Sequence, residues 1–347
     1  MKDDLFEGYS KETEPAKYYK SYAWKTAIGL QEVDGLQPSE YLIQTAEKNI
    51  NGDISFEDAN ELIASYYKEN ASKAERTEEA DKVSVRIAQI ISEKSFVFSP
   101  VEYTTIHRRL FEGLYSHAGR IRDYNITKEE WVLDGDTVMY GNALNLRETL
   151  EYDFDVERKF NYKGLSTEEI ILHIARFISN LWQIHVFGEG NTRTTAVFLI
   201  KYLAKLGFNV TNDIFAENSW YFRNALVRAN YNNRAKGVFE TTRYLELFLH
   251  NLLLDEENLL SNRELHVGYK GTEEAPKTSE RDTQILELLR GNPGITLQEI
   301  AGIIGKSLRT VKIAIKALQE CRIVERVGGK KNGSWKVNDA ICLIPDE

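Results

Sequence analysis

Apolar positions recur at helical spacing over most of the chain, and the two strongest stripes flank a short polar segment. Ile170, Ile171, Ile174, Ala175, Ile178, Leu181 and Trp182 predict a buried helix that opens at the capping-box pair Ser166 and Glu169 and ends close to His185. Val197, Phe198, Ile200, Leu203 and Leu206 predict a second helix, stopped by Gly207. Residues 20–70 read as helices broken at Asp34-Gly35 and Asn51-Gly52, with Ser55 and Asp58 spaced as a capping box. One segment leaves the helical period. From Trp131 to Tyr140, Asp134-Gly135 sits between two β-favouring runs and predicts a β-hairpin. Toward the C-terminus, helices over about 281–291 and from Leu297 to Ile304 precede a turn at Gly305 and a third helix from near Ser307. Cys321–Val327 and Ser334–Val337 then read as two strands around a glycine-rich tip.

The expected organisation is a helical module over 1–75, a larger helical domain over 76–260 carrying the hairpin, a polar linker over 261–279 and a small α+β domain over 280–347. The fold class is mainly α. A chain of 347 residues, 42% hydrophobic, has apolar material for two or three separate cores. Its two cysteines, Cys321 and Cys342, lack metal-ligand spacing, so neither a disulfide framework nor a zinc site is expected. The acidic start predicts no secretory signal, and no run of about 18 apolar residues predicts a membrane span. A cytoplasmic protein is expected. A net charge of -9 disfavours indiscriminate nucleic-acid binding but leaves room for a local basic face.

The polar segment between the two stripes runs His185-Val186-Phe187-Gly188-Glu189-Gly190-Asn191-Thr192-Arg193. A glycine-containing loop opening into a helix offers backbone N–H groups and a positive dipole end to phosphate. Glu189 can hold Mg²⁺ against phosphate oxygens, and Arg193 can donate paired hydrogen bonds to them. His185, if neutral near pH 7, can take a proton from an attacking hydroxyl. These are the parts of a transfer reaction at phosphorus.

His-x-Phe-x-Glu-Gly-Asn-x-Arg resembles the signature of Fic proteins, usually His-Pro-Phe-x-Asp/Glu-Gly-Asn-Gly-Arg-x-x-Arg. The resemblance implies a Fic-type helical domain with a β-hairpin flap, and an activity that moves AMP from Mg·ATP to a Tyr, Thr or Ser hydroxyl of a target protein, self-modification included. It implies His185 as the base, Phe187 as the loop's anchor and Glu189 as the metal ligand. Gly188, Glu189, Gly190, Asn191, Thr192 and Arg193 would bind the nucleotide, and Val138, Met139 and Tyr140 would dock the target as an added strand. Along Phe222–Asn230, which looks like the helix lining the adenine pocket, Asn230 is the candidate.

Three positions depart from the signature. Val186 replaces proline, Thr192 the second glycine, and Ala196 the final arginine, a change expected to weaken activity or alter the nucleotide preference. The N-terminal module resembles the small antitoxins that restrain Fic toxins through Ser/Thr-x-x-x-Glu-Gly/Asn. Aligned on its glycine, Leu30-Gln31-Glu32-Val33-Asp34-Gly35 lacks the hydroxyl and shortens glutamate to Asp34. With the partner at 196 also missing, the module is expected to serve mainly as packing, Asp34 being the regulatory candidate.

Residues 279–347 resemble a winged helix-turn-helix. Arg309, Lys312 and Lys316 on its third helix, with Lys330 and Lys331 on the wing, could contact phosphates of DNA, while protein docking is the other use of such a domain. The alternative to an enzyme is therefore a winged-helix transcriptional regulator whose Fic domain senses nucleotide. Phosphate transfer, as in the related death-on-curing toxins, is disfavoured because their anion-loop lysine is missing. A homo-oligomer is left open. His107, His117, His173, His250 and His266 are expected to be structural, and Arg120, Arg122 and Asp123 to form surface salt bridges.

Overall fold

The computed structural model describes residues 6, 9, 13–69, 75–269, 280–320, 324–327 and 334–337. They fall into two units, Met1–Gly268 and Tyr269–Glu347. In the first, α1 (Pro15–Gly29) runs into a 3-10 turn, Leu30–Asp34, that stops at Gly35 in left-handed backbone (φ 64°). Then come α2 (Glu40–Asn51), α3 (Phe56–Glu69), α4 (Glu75–Ser92), α5 (Pro100–Phe111), α6 (Leu146–Lys159), α7 (Thr167–Ile184), α8 (Asn191–Lys205), α9 (Ile214–Ala229), α10 (Arg243–Leu254) and α11 (Asn262–Leu265). Among the described residues no helix is long and apolar enough to cross a membrane.

One apolar core serves this unit. Trp24, Leu30 and Leu42 belong to the same buried cluster as Ile178, Trp182 and Phe198, and α1 packs on α4 and α9. The N-terminal helices thus share a core with the rest instead of closing one of their own, which fixes the 3-10 turn against the start of α8. α7 starts as its sequence predicts, with both capping-box bonds between Ser166 and Glu169 present.

The expected hairpin is not a β-ladder. Asp134 and Gly135 do turn in left-handed backbone (φ 58° and 80°), but Trp131–Leu133 winds into a 3-10 helix and residues 136–142 run without strand pairing. Val132 and Leu133 are consecutive and both fully buried, whereas a strand would send them to opposite faces. Core packing overrides the hairpin signal. Of the flap residues, Val138 is buried, Tyr140 half-buried and Met139 85% exposed.

The second unit holds α12 (Glu280–Gly291), α13 (Leu297–Ile304), α14 (Leu308–Glu320) and two antiparallel strands, β1 (Val324–Val327) and β2 (Ser334–Val337), with Val324 opposite Val337. Gly305 makes the expected turn at φ 63°, and Ile285, Leu289, Ile300, Val311, Ile315 and Trp335 form a separate core. The fold is therefore mainly α with a small winged helix-turn-helix. The wing tip with Lys330 and Lys331, both cysteines, and residues 270–279 of the expected linker lie outside the described residues.

On α6, burial pushes the Asp153 carboxyl up to about 6 from a usual 3.8. A folded-state pKa above the unfolded one means that the ionised group weakens the fold at neutral pH and ceases to do so near pH 4. Asp153→Asn should stabilise the protein at pH 7 by about 1 kcal/mol, after a discount for solvent screening, and change nothing at pH 4. Urea midpoints at the two pH values check this, and a lower midpoint at pH 7 would contradict it.

Candidate active site

His185 caps α7 in left-handed backbone (φ 51°, ψ 56°), a conformation that costs a non-glycine residue about 1 kcal/mol or more. Arg122 holds it there. This arginine is buried rather than a surface ion-pair partner: its Nε donates to the His185 carbonyl at 2.8 Å, and its other nitrogens donate to the carbonyls of Gly141 and Tyr124. The imidazole Nδ1 lies 3.3 Å from the Trp182 carbonyl, which can only accept, so Nδ1 carries the hydrogen and Nε2 the lone pair. Nε2 is buried without a partner. Burial first, and then the cation of Lys128, with Arg122 and Arg223 adding to it, hold the His185 pKa well below its usual value, so the ring is neutral at pH 7.

The loop beyond it is braced from inside. Phe187 is fully buried and stacks on His107 with ring centroids 3.7 Å apart. The Gly119 N–H donates to His107 Nδ1 (2.8 Å), so Nε2 holds the proton and donates to the Glu189 carbonyl (2.9 Å). His107 therefore fixes the peptide that leads into the phosphate-facing turn. Gly190 starts α8 in left-handed backbone, and a Cβ there would meet the Phe111 ring at 2.3 Å; a Cβ on Gly188 would meet the Tyr124 hydroxyl at 2.5 Å. No side chain caps α8, so its first N–H groups have no side-chain acceptor, as an anion site at a helix start requires.

Burial also pushes His107 down to about 4. Below pH 6.5 the unfolded chain protonates this residue while the folded one does not, so stability falls from about pH 6.5 to 4, by about 3 kcal/mol for this group. His107→Gln should remove that loss. Comparison of urea denaturation at pH 6.5 and 4.5 tests it, and equal pH losses in the two proteins would refute it.

Three side chains expected at the nucleotide have partners within the protein. The Asn191 amide does not face a nucleotide: Oδ1 accepts from the Phe187 N–H (3.0 Å) and Nδ2 donates to the Phe187 carbonyl (2.8 Å), stapling the loop. The Thr192 hydroxyl accepts from Trp182 Nε1 at 3.0 Å. Arg193 is only 1% exposed and is held by acidic partners at the floor of the cleft. Its Nε lies 2.8 Å from the Asp34 carboxylate, one NH2 nitrogen 2.6 Å from Glu79, and NH1 donates to Gln31 at 3.1 Å, all beneath the Phe111 ring. The N-terminal segment is thus more than packing, and Asp34 has an arginine partner after all, one helical turn before Ala196, which is itself buried in α8.

A cleft of about 580 Å³ opens over this clamp, lined by Asp34, Arg76, Glu79, Glu189, Arg193 and Arg223, with Trp220 on its wall. Asn230 is elsewhere: its amide ties the end of α9 to the Ser179 and Leu226 carbonyls. Glu189 is the cleft's half-exposed carboxylate and pairs with Lys128 at 3.0 Å. Among the described residues no three His, Cys, Asp or Glu side chains gather to hold a metal. Glu189 suits a Mg²⁺ that takes one carboxylate and completes its shell with phosphate oxygens and water. Gln31, Glu79, Arg76, Lys128, His107 and Arg122 carry no local signature, since each joins the site only through contacts distant in sequence.

Residues 97–203, which span the His185 loop, match the model of the Fic/DOC family. The chain carries a Fic/DOC domain. Residues 278–325 match a family described as winged helix-turn-helix DNA-binding. Among solved structures, a Fic family protein from Desulfovibrio desulfuricans G20 is similar at 11% identity and a TM-score of 0.47, over 93% of this chain and 87% of that one. The N-terminal Fic domain of an effector from Bartonella sp. AR 15-3 is similar at 18% identity and 0.40, over 51% and 82%. That of a second effector, from Bartonella sp. 1-1C, is similar at 20% and 0.38, over 58% and 87%. Fic domains as a family generally transfer nucleoside-monophosphate groups to proteins.

Proposed function

We propose that this protein transfers AMP from ATP to a hydroxyl side chain of a target protein, with His185 as the base. The observation that carries the reading is the buried, unpartnered Nε2 lone pair of His185, at one end of the loop whose other end is the uncapped start of α8. The target oxygen would attack the α-phosphorus as the bond to pyrophosphate breaks, and Nε2 would receive the hydroxyl proton. The lowered pKa makes His185 a weak base until anionic phosphates offset the charge of Lys128 and Arg223. Substrate charge would then raise its basicity when it is needed. Mg²⁺ on Glu189 would supply charge neutralisation for the departing pyrophosphate. The backbone N–H groups of Gly190, Asn191 and Thr192, and Arg193 once freed from Asp34 and Glu79, suit the phosphates.

The extended segment 136–142, with Met139 outermost, fits a target strand lying along it, although Gln183 already bonds the Met139 carbonyl and the Gly141 N–H. A second role rests on α14, where Arg309 and Lys312 are exposed and would contact a DNA backbone; a protein partner is the other occupant of such a surface. Cytoplasmic ATP fits this reading. The test is incubation with Mg²⁺ and ATP labelled at its α-phosphate, in a lysate that supplies targets. Label that stays on protein after denaturation and vanishes with His185→Ala is expected, whereas nucleotide binding without any transfer would favour a sensor that regulates transcription.

A further inference from the structure

Glu130 is fully buried, yet two elements of the site converge on it. Its Oε1 accepts from the Tyr140 hydroxyl at 3.0 Å, and its Oε2 lies 2.6 Å from a guanidinium nitrogen of Arg223. Tyr140 in turn lies against His185, ring centroids 4.3 Å apart, and edge-on to Trp182. Arg223 stands on the opposite side of the carboxylate, on the wall of the cleft and over the Trp220 ring. A continuous chain of contacts therefore joins the cleft to the imidazole: Arg223, Glu130, Tyr140, His185.

We infer that Glu130 is a positioning residue for His185: it holds Tyr140 against the imidazole and releases it when an anion in the cleft draws Arg223 away. The physical ground is the cost of a buried charge. Paired with Arg223, the Glu130 carboxylate is compensated; stripped of that partner inside the core, it is strongly destabilised until it reaches water. A phosphate group is a competitor for the guanidinium, since it accepts paired charge-assisted hydrogen bonds. Glu130 and Tyr140 lie on the same stretch, which has no strand pairing and is tied back by bonds such as Glu130 N–H to the Asp136 carbonyl (2.9 Å) and Gly141 N–H to the Gln183 carbonyl (3.2 Å). Movement of Glu130 toward solvent takes Tyr140 with it and uncovers Nε2. The inference rests on His185 being the base, but it concerns access to that nitrogen and can be tested without any transfer reaction.

The experiment is acylation by diethyl pyrocarbonate, whose carbonyl is attacked by the lone pair of a neutral imidazole nitrogen, read residue by residue by mass spectrometry on the full chain. His107, whose two ring nitrogens are both bonded inside the core, serves as the internal measure of an intact fold. In the wild type His185 should react slowly. Arg223→Gln, Glu130→Gln and Tyr140→Phe should each raise its rate about tenfold or more, the effect of losing one charge-assisted hydrogen bond, with His107 unchanged. The double variant Arg223→Gln/Tyr140→Phe should react no faster than the faster single one, because both act through Glu130. A merely structural role would expose both histidines together or give additive effects. Unchanged His185 reactivity in Arg223→Gln and Glu130→Gln, or additivity in the double variant, overturns the inference. Should a Glu130 or Arg223 variant expose His107, Tyr140→Phe decides, since it removes one hydroxyl and keeps the ring. Absence of AMP transfer alongside the predicted pattern would sink the enzymatic reading and not the coupling.

Discussion

Replacing Asp34 with alanine is expected to raise protein modification by about ten- to a hundredfold. Arg193 is the motif's one arginine, and it is held in a buried clamp by Asp34 and Glu79, with Gln31 completing it. An arginine so engaged is not free to bind phosphate. Charge-assisted bonds contribute about 1.5–3 kcal/mol each, and 1.4 kcal/mol is a factor of ten, so loss of the Asp34 pair alone should free Arg193 for a nucleotide by that range. Asp34 is the partner to remove, because its side chain is about a third exposed while Arg193 is wholly inside, so its loss opens little of the core. The same variant should unfold at lower urea, since a buried guanidinium keeps only one carboxylate. Activity equal to or below that of the wild type would show that the clamp does not restrain the reaction.

Replacing His185 with alanine should lower transfer by about 10²–10⁴, the usual contribution of a positioned base, while nucleotide affinity stays within about twofold, a change of roughly 0.4 kcal/mol. The cleft's ligands, Glu189 and the start of α8, do not depend on the imidazole, whereas proton removal is assigned to the unpartnered Nε2 lone pair of His185. Initial rates in the Asp34→Ala background, with affinity measured by calorimetry, separate the two quantities. A loss of affinity as large as the loss of rate would make His185 a binding residue instead.

The local signals in the sequence were reliable where local physics decides. Ser166 with Glu169 sets the start of α7, His185 and Gly190 take the left-handed backbone at the two ends of the loop, and Gly305 turns the winged helix. Asp134-Gly135 turned as such a pair does, but no ladder followed, because the core claims Val132 and Leu133 together. The two asparagines show a related limit: an amide that bonds backbone carbonyls reads no differently in sequence from one facing a ligand, and the Asn191 and Asn230 amides both bond backbone carbonyls. Asp34 is legible as a regulatory carboxylate, but the motif places its partner at position 196 and the structure at Arg193. One helical turn along α8 decides which side chain faces the 3-10 turn, and that angle follows from packing of α1 against α4 and α9, not from the motif. The Glu130 chain and the His107 brace span the fold in the same way and leave no trace in spacing.

The central claim is that the His185 loop carries AMP transfer. Two parallel reactions of the Asp34→Ala protein test it most directly, one with ATP labelled at the α-phosphate and one with ATP labelled at the γ-phosphate, each repeated with His185→Ala added. Protein-bound label from the α-position only, lost with His185→Ala, is the predicted result; label from the γ-position, or α-label that survives His185→Ala, would contradict it.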